Sequence, residues 1–363
     1  MKVVPEEVGK FPYHMMREIH EQPTAIEATL SGEIKQAKKI AEIIHQEKYE
    51  MIYITGSGTS YHAGLAGTYS LSLLTKLIAS LIPASEFGTW LSPAISKKAL
   101  LIAISQSGES KDIIEAVRIA LKRNMQVIAL TNTPQSSLAK MANYTLLTHA
   151  GEEFAVAATK SYTAQLAALF MLILEVADLR EEKTENIEKL KEMLAAAPKF
   201  VNEIIIHNRE IIRDLAYTFK RSNYFFLLGS GPNYATALEG ALKLKETCNV
   251  FAEGFASREF LHGPIQLIDG RTPILFIVTE DEIMNFIGLM QTITNFGAPL
   301  ITISEKVNRL SEVSTNVIHI PEGFPKVFSP ILYIIPLQLF AYHSSIVRNL
   351  NPDKPEKLRK VVK

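Results

Sequence analysis

The chain of 363 residues contains a single cysteine, Cys248. One thiol excludes an intramolecular disulfide and a metal site built from several cysteines, and it is typical of a reducing compartment. The nine histidines show no metal-ligand spacing such as HExxH. Since no nucleotide or flavin motif is present either, we expect a protein without a metal or any other cofactor.

The chain also lacks an excess of charge of either sign. Lys and Arg together number 38, as do Asp and Glu, so the formal net charge is zero. This balance gives no support to electrostatic binding of nucleic acid or of an acidic membrane. The one basic cluster lies in the C-terminal tail, where solvent exposure explains it by itself: Lys354, Lys357, Arg359, Lys360 and Lys363.

Uninterrupted apolar runs of membrane-spanning length are missing as well. The longest apolar stretch, 327–347, is interrupted by Pro330, Pro336, Gln338 and His343, and it favours a buried core helix over a membrane span. Residues 1–7 carry two glutamates and no apolar segment follows them, which is unlike a signal peptide. The sequence therefore predicts a cytoplasmic protein that does not enter membranes.

What the sequence does contain is an internal repeat. Residues 53–61, YITGSGTSY, resemble residues 226–234, FLLGSGPNY, in a register that matches Gly56 to Gly229. The same register relates three further pairs of segments: 101–104 and 274–277, 127–130 and 300–303, 165–166 and 338–339. Four pairs of segments that agree in register without a gap indicate two copies of one domain.

Within each copy, short apolar strands alternate with helices, which is the pattern of a parallel sheet covered on both faces. In the first copy we predict strands near 51–56, 99–104, 126–131 and 143–147, and helices near 60–76, 111–123 and 158–178. In the second copy we predict strands near 224–228, 273–278, 299–304 and 316–320, and helices near 233–247, 282–295 and 329–348. With right-handed crossovers, the predicted fold is α/β: two tandem doubly wound three-layer domains with parallel sheets.

The domain boundaries follow from this pattern. We expect a helical lead-in over 1–45, a first domain over 46–180, linking helices over 181–215, a second domain over 216–348 and a C-terminal tail over 349–363.

The segment most informative about function is 105–110, SQSGES, which lies between a buried strand and an amphipathic helix. The free N–H groups and the dipole of a helix start attract anions. Ser105, Gln106, Ser107 and Ser110 add donors without fixed charge, which suits a compact oxyanion such as a sugar phosphate. Ser110 alone would be explained as a helix cap, but three serines and a glutamine favour phosphate binding.

The GSG turn at 56–58 does not indicate a dinucleotide site. The third glycine of a GxGxxG motif would fall at Tyr61, and at Tyr234 in the second copy. A tight turn that brings backbone N–H groups toward a ligand explains it better.

Glu239, Lys243 and Glu246 have the i, i+4, i+7 spacing that places them on one face of a helix. A surface ladder of ion pairs would explain the spacing. Apolar neighbours on several sides predict instead that this helix is largely buried, and a buried carboxylate beside a lysine is suited to proton transfer.

Four motifs together resemble the sugar isomerase (SIS) family, in particular the isomerase half of the glucosamine-6-phosphate synthases and the related deaminases. They are GTSY at 58–61, SQSGES at 105–110, ALEGALKLKE at 237–246 and HGP at 262–264. The likeness begins at residue 17 and extends to Lys360, so it covers nearly the whole chain.

The resemblance implies roles for matching positions. Ser105, Gln106, Ser107 and Ser110 would hold the phosphate of a phosphorylated sugar, with Thr59 and Ser60 nearby, and Val156 would lie in a loop, 153–160, that closes over the sugar. Glu246 would be the base that moves a proton between C1 and C2, with Glu239 and Lys243 completing the site.

Two further roles depend on the resemblance alone. Lys360, in a tail that would close on the active site, would form a Schiff base with the ketose; a solvated tail lysine is the alternative. His262 would assist ring opening and reach the site from the neighbouring subunit of a homodimer; a buried structural histidine is the alternative.

The chain departs from the synthases at three places. Their glutaminase nucleophile is a cysteine at the start of the chain, whereas Lys2 follows Met1 here, so we expect no glutaminase in this polypeptide. Ala158 replaces a serine often seen before the Thr-Lys pair, and the chain ends KVVK without the usual acidic end.

The expected activity is interconversion of glucosamine 6-phosphate with fructose 6-phosphate and ammonia, in the direction of deamination because no ammonia-delivery segment is visible. Two other enzyme activities remain as alternatives. One is a synthase that uses free ammonia or a separate glutaminase subunit, and the other is a ketosamine-phosphate deglycase. A non-catalytic sugar-phosphate sensor also remains, although a sensor needs no proton-transfer base.

Overall fold

The structure is a computed structural model that describes residues 11–90, 98–180 and 186–360. Of the expected segments, 1–10, 181–185 and 361–363 lie outside the described residues. The chain forms two compact units. The described residues of the first unit are 21–90, 98–153, 158–180, 186–198 and 359–360, and those of the second unit are 11–20, 154–157 and 199–358.

The elements up to residue 195 alternate between helices and strands. In chain order they are α1 (His14–His20), α2 (Gln22–Glu47), β1 (Met51–Gly56), α3 (Thr59–Thr75), β2 (Ala79–Pro83), α4 (Ala84–Trp90), β3 (Ala99–Ile104), α5 (Lys111–Lys122), β4 (Gln126–Thr131), α6 (Ser137–Met141), β5 (Tyr144–Leu147), α7 (Lys160–Asp178) and α8 (Ile187–Ala195).

The remaining elements repeat the alternation. They are α9 (Ala197–His207), α10 (Arg209–Thr218), β6 (Tyr224–Gly229), α11 (Pro232–Cys248), β7 (Phe251–Ala256), β8 (Ile274–Ile277), α12 (Ile283–Asn295), β9 (Leu300–Ser304), α13 (Val307–Leu310), β10 (Asn316–His319) and α14 (Pro330–Val347). Short 3₁₀ turns lie at Glu259–Leu261, Pro264–Leu267, Glu280–Glu282 and Lys326–Phe328.

Each copy forms one five-stranded parallel sheet. The strand order is β2-β1-β3-β4-β5 in the first unit, and the same order recurs as β7-β6-β8-β9-β10 in the second. The predicted α/β fold with two tandem doubly wound domains is therefore confirmed. In this topology the direction of winding reverses between β1 and β3, and ligands bind at such a point, outside the carboxyl ends of the strands.

The repeat is visible in the element boundaries. The register that matches Gly56 to Gly229 also matches both ends of β1 to those of β6, and both ends of α3 to those of α11. All six residues of β3 are buried, as a strand covered on both faces requires.

The sequence prediction missed one strand in each copy, β2 and β7. Both are edge strands, paired with β1 and β6 respectively. No residue of β2 is fully buried, and β7 contains Glu253 and Gly254. An edge strand that is only half covered does not produce a continuous apolar run, so the pattern was absent from the sequence.

Among the described residues, two helices, α7 and α14, are long and apolar enough in composition to cross a membrane. Buried residues make up 94% and 89% of their apolar windows. A helix that is apolar on all sides and buried is typical of the core of a large folded domain, as expected for the stretch 327–347.

Candidate functional site

The serine-rich loop of the first unit, 105–110, lies at the point where the direction of winding reverses, between β1 and β3. The loop 105–110 follows β3, and the turn 56–58 follows β1, which pairs with β3 in parallel with Thr55 opposite Ala103. Because the carboxyl ends of parallel strands share one edge of the sheet, both loops open on that edge.

The loop is fixed by its own hydrogen bonds. The backbone N–H of Gly108 donates to Ser105 Oγ at 3.1 Å, and that of Glu109 donates to Ser107 Oγ at 3.2 Å. The Glu109 carboxylate accepts two bonds from Ser137, from its N–H at 2.7 Å and its hydroxyl at 2.8 Å. These hydrogen bonds stabilise the conformation of the loop.

Gly108 is required by this conformation. Its φ is +65°, a region that residues with a Cβ rarely adopt, and an added Cβ would lie 2.2 Å from Ser136 Oγ. Only glycine fits a turn this close to the start of α6.

Ser110 precedes α5 with extended backbone, and its side chain makes no capping hydrogen bond. The simple capping role considered for Ser110 is therefore not observed. The start of α5 keeps the open N–H groups that an anion would accept from.

A cavity of about 680 Å³ lies beside the loop. Three of the predicted site residues line it together: Gln106, Ser107 and Lys360. The other predicted phosphate residues of this unit are not among its lining residues. Ser105 is buried at the base of the loop, and Ser60 is buried in the first turn of α3, where its Oγ accepts from Gln165 Nε2 at 3.0 Å.

Lys360 forms an ion pair with Glu153, at 2.6 Å between Nζ and Oε2. The Lys360 side chain is 24% exposed and that of Glu153 is 0% exposed. The alternative of a solvated tail lysine is therefore wrong, because solvent does not surround this side chain and its partner is a buried carboxylate.

Glu153 was not predicted as a site residue. Burial raises the pKa of its carboxyl, but the Lys360 ammonium and hydrogen bonds from Thr159 and Ser161 outweigh burial and hold that pKa below its usual value. The partners Glu153 and Lys360 are 207 residues apart in the chain, so no local spacing could have revealed the pair.

The corresponding loop of the second copy has a different, acidic sequence. In the register of the repeat, the positions of 105–110 are taken by 278–283, VTEDEI. Here Thr279 and Glu282 form a capping box, with Thr279 Oγ1 donating to Glu282 Oε2 at 2.8 Å. Carboxylates of the chain itself lie at this helix start, so an external anion would be repelled there.

The predicted trio on α11 lies on one face, within the second unit. Lys243 Nζ is 3.3 Å from Glu239 Oε1 and also pairs with the Glu246 carboxylate. Glu239 and Lys243 are 0% exposed, whereas the Glu246 side chain is 18% exposed. The surface-ladder alternative is therefore wrong, and Glu246 is the member of the trio that solvent can reach.

The two other predicted residues of the second unit lie in loops. His262 follows the turn Glu259–Leu261 and is exposed, so the alternative of a buried structural histidine is wrong. Val156 is half-buried, and its N–H donates to the carbonyl of Asp353 at 3.0 Å.

The fold and the site define a class: a tandem doubly wound α/β protein with a serine-rich loop beside a lysine that pairs with a buried glutamate. Within that class the chain belongs to the SIS domain family, whose model matches residues 43–175 and 218–348. The predicted family membership is thereby confirmed.

Similar proteins carry consistent names. A glutamine–fructose-6-phosphate aminotransferase (isomerizing) of Thermococcus kodakarensis is 38% identical over 358 residues, covering 98% of this chain and 59% of that protein. A protein of the same name from Clostridium tetani is 38% identical over 367 residues, covering 98% of this chain and 60% of that protein. The chain thus spans about three fifths of the length of these relatives.

Solved structures agree with the sequence relatives. The C-terminal domain of glucosamine-fructose-6-phosphate aminotransferase from Francisella tularensis has a TM-score of 0.88 at 30% identity, covering 96% of this chain and 100% of that one. A glucosamine-6-phosphate deaminase from Thermotoga maritima, with a TM-score of 0.77 at 23% identity over 96% of this chain and 99% of that one, shares the fold.

Proposed function

We propose that the chain is a sugar-phosphate isomerase that interconverts glucosamine 6-phosphate with fructose 6-phosphate and ammonia. The observation that carries the proposal is that Gln106 and Ser107 line the same cavity as Lys360. Both belong to the loop 105–110, which we call the anion loop. A phosphate site and a primary amine in one cavity are what a phosphorylated ketose needs in order to bind and to form an imine. The names of the similar aminotransferases support the choice of sugar.

The phosphate is assigned to the anion loop. Backbone N–H groups at the start of α5 and the side chains of Gln106 and Ser107 donate to its oxygens, with Ser105 and Ser110 shaping the loop. A fixed loop with neutral donors binds a phosphate dianion without itself losing a proton.

The isomerisation is assigned to Lys360 and Glu246. An imine between Lys360 and the ketose carbonyl acts as an electron sink, which acidifies the neighbouring C–H bond. A carboxylate then moves the proton between C1 and C2, and Glu246 suits this role because it pairs with buried Lys243 and is itself accessible. His262 is proposed to assist ring opening, supplied across a homodimer, and Thr59, Ser60 and Val156 to contact the sugar.

The same residues serve both directions, since glucosamine 6-phosphate and water balance fructose 6-phosphate and ammonia. Deamination and ammonia-dependent synthesis would use the same site chemistry. They differ in whether ammonia is released or supplied, and the supply would be free ammonia or a separate glutaminase subunit.

The test is to incubate the chain with glucosamine 6-phosphate and to measure ammonia and fructose 6-phosphate. The reverse is run with fructose 6-phosphate plus ammonium and, separately, plus glutamine. Reaction in either direction supports the proposal. Bound sugar phosphate without reaction contradicts it and favours the deglycase or the sensor.

Two variants assign the residues. Ser107→Ala removes a charge-assisted hydrogen bond worth about 1.5–3 kcal/mol and is expected to weaken fructose 6-phosphate binding by roughly tenfold to a hundredfold. Glu246→Gln is expected to abolish turnover while leaving that binding nearly intact. Ser311→Ala, at an exposed serine that ends α13 of the second unit, is the control and should change neither quantity.

A further inference from the structure

We propose that Glu153 is the fixed counter-ion of the Lys360 nitrogen throughout the reaction, pairing first with the ammonium and then with the protonated imine. The inference rests on the proposed function, because it assumes that Lys360 forms an imine with the ketose. Glu153 is a positioning residue in this scheme: it acts on the substrate through Lys360.

The carboxylate of Glu153 is held independently of Lys360. Its Oε1 accepts from the backbone N–H groups of Thr159 at 2.9 Å and Ser161 at 3.1 Å, and its Oε2 accepts from Ser161 Oγ at 2.7 Å. Thr159 and Ser161 begin α7, so the positive end of that helix dipole adds to the stabilisation. These three donors hold the carboxylate in place without a contribution from Lys360.

The charge on the lysine nitrogen does not change when the imine forms. One ammonium proton first moves to the carbonyl oxygen, which frees the electron pair of Nζ to bond to the carbonyl carbon, and the carbon–oxygen bond then breaks. Two of the three ammonium protons leave with the oxygen as water, and the third stays on nitrogen. One positive charge is present before and after, so one carboxylate at a fixed position serves both states.

The fixed carboxylate also serves the next step. The imine withdraws electrons from the neighbouring carbon only while its nitrogen is protonated. A buried carboxylate in contact with that nitrogen favours the protonated form. Without Glu153, the imine would lose its proton at a lower pH and the C–H bond would become less acidic.

The other charged groups around the cavity have their own partners or lie in solvent. His149 lies 2.9 Å from Glu33, Lys160 pairs with Glu21 at 2.6 Å, and Glu152 is exposed. These groups are the same in wild type and in a Glu153 variant, so a difference between the two reports on Glu153.

The test is borohydride reduction of the imine in the presence of fructose 6-phosphate, across pH 5 to 9, with mass spectrometry of the peptide that contains Lys360. Glu153→Gln keeps an oxygen to accept from the α7 start, so it preserves the local shape. We expect its adduct yield to fall at least tenfold near neutral pH, and the alkaline decline in yield to begin about one to three pH units lower. Glu153→Asp should restore part of both.

The matched control is Glu175→Gln. Glu175 is also buried in the first unit, at 6% exposure, and it pairs at 3.1 Å with Lys191, whose 23% exposure is close to that of Lys360. This variant loses a buried ion pair away from the cavity and should trap adduct like wild type.

The outcomes separate the two levels of the proposal. If wild type traps no adduct on Lys360, the imine and with it the proposed function are wrong. If wild type traps adduct and Glu153→Gln matches it, only the counter-ion is wrong. If the yield falls by the same factor at every pH, with no shift of the alkaline decline, the counter-ion role is also wrong. Such a result would show that Glu153 has a structural role alone.

Discussion

Replacing Gly108 by alanine tests whether the anion loop is preformed. Two costs are expected. The φ of +65° costs a residue with a Cβ about 1–2 kcal/mol. The new Cβ would also lie 2.2 Å from Ser136 Oγ and 2.5 Å from Ser136 Cβ. Rotation of the Ser136 side chain cannot relieve the second contact, so backbone must shift, at about 1–3 kcal/mol.

A second glycine separates the two costs. Gly151, in the same unit, has a φ of +67°, and the nearest atom to its added Cβ is Lys160 Nζ at 3.8 Å. Gly151→Ala therefore carries the strain without the clash and should lower the free energy of unfolding by about 1–2 kcal/mol. Gly108→Ala should lower it by a further 1–3 kcal/mol or so. Urea denaturation measures both.

Binding should follow the geometry. Because Gly108→Ala displaces the loop, its affinity for fructose 6-phosphate, measured by calorimetry, should fall by roughly tenfold or more, as for one lost charge-assisted bond. Equal destabilisation by the two alanine variants, together with unchanged affinity in Gly108→Ala, would refute the tight, preformed loop.

Three other perturbations test separate parts of the molecule. If His262 acts across a dimer, a random mixture of His262→Ala and Glu246→Gln subunits should regain roughly a quarter of wild-type activity, because half of the dimers are mixed and each of these has one intact site of two. If mixing restores no activity, His262 and Glu246 of the same chain act together and the proposal of a shared site is wrong. Lys243→Met should cost about 3–5 kcal/mol in urea denaturation by removing the buried partner of Glu239, and an unaffected midpoint would contradict the ion pair. Burial, with Arg209 and Arg213 nearby, lowers the pKa of His343 from 6.5 to about 4. As the pH falls, the unfolded chain therefore binds a proton at this residue before the folded chain does, and the free energy of unfolding should drop by roughly 3 kcal/mol between pH 6.5 and 4. His343→Phe should make the free energy of unfolding less dependent on pH over this range.

The strands that could be predicted are those whose side chains are covered on both faces. β3 consists of six apolar residues, and all six are buried. The apolar run in the sequence was therefore enough to predict this strand. β2 and β7 lie at sheet edges, where half of each strand contacts solvent and the apolar signal is weak. Their positions are set by pairing with β1 and β6, which is a property of the sheet and not of the segment.

The candidate site divides in the same way. The helical spacing of Glu239, Lys243 and Glu246 is local, so their shared face could be predicted from the sequence. The environment of Lys360 could not, because Glu153 comes from a loop more than half the chain away. Residue types in a tail do not reveal which buried acceptor, if any, the fold will place beside them.

The two copies of the domain contain different groups of the residues in the proposed reaction. In the register of the repeat, the trio of α11 corresponds to Ala66, Ser70 and Leu73 in α3, none of which can accept a proton from carbon. Conversely, the acidic sequence at 280–282 fills the helix start that the first copy leaves open for an anion. A phosphate would be repelled there by three carboxylates, so the phosphate is proposed to bind at the first copy alone. The proposed reaction needs both an anion loop and a proton-transfer base, and the proposal assigns one of them to each copy.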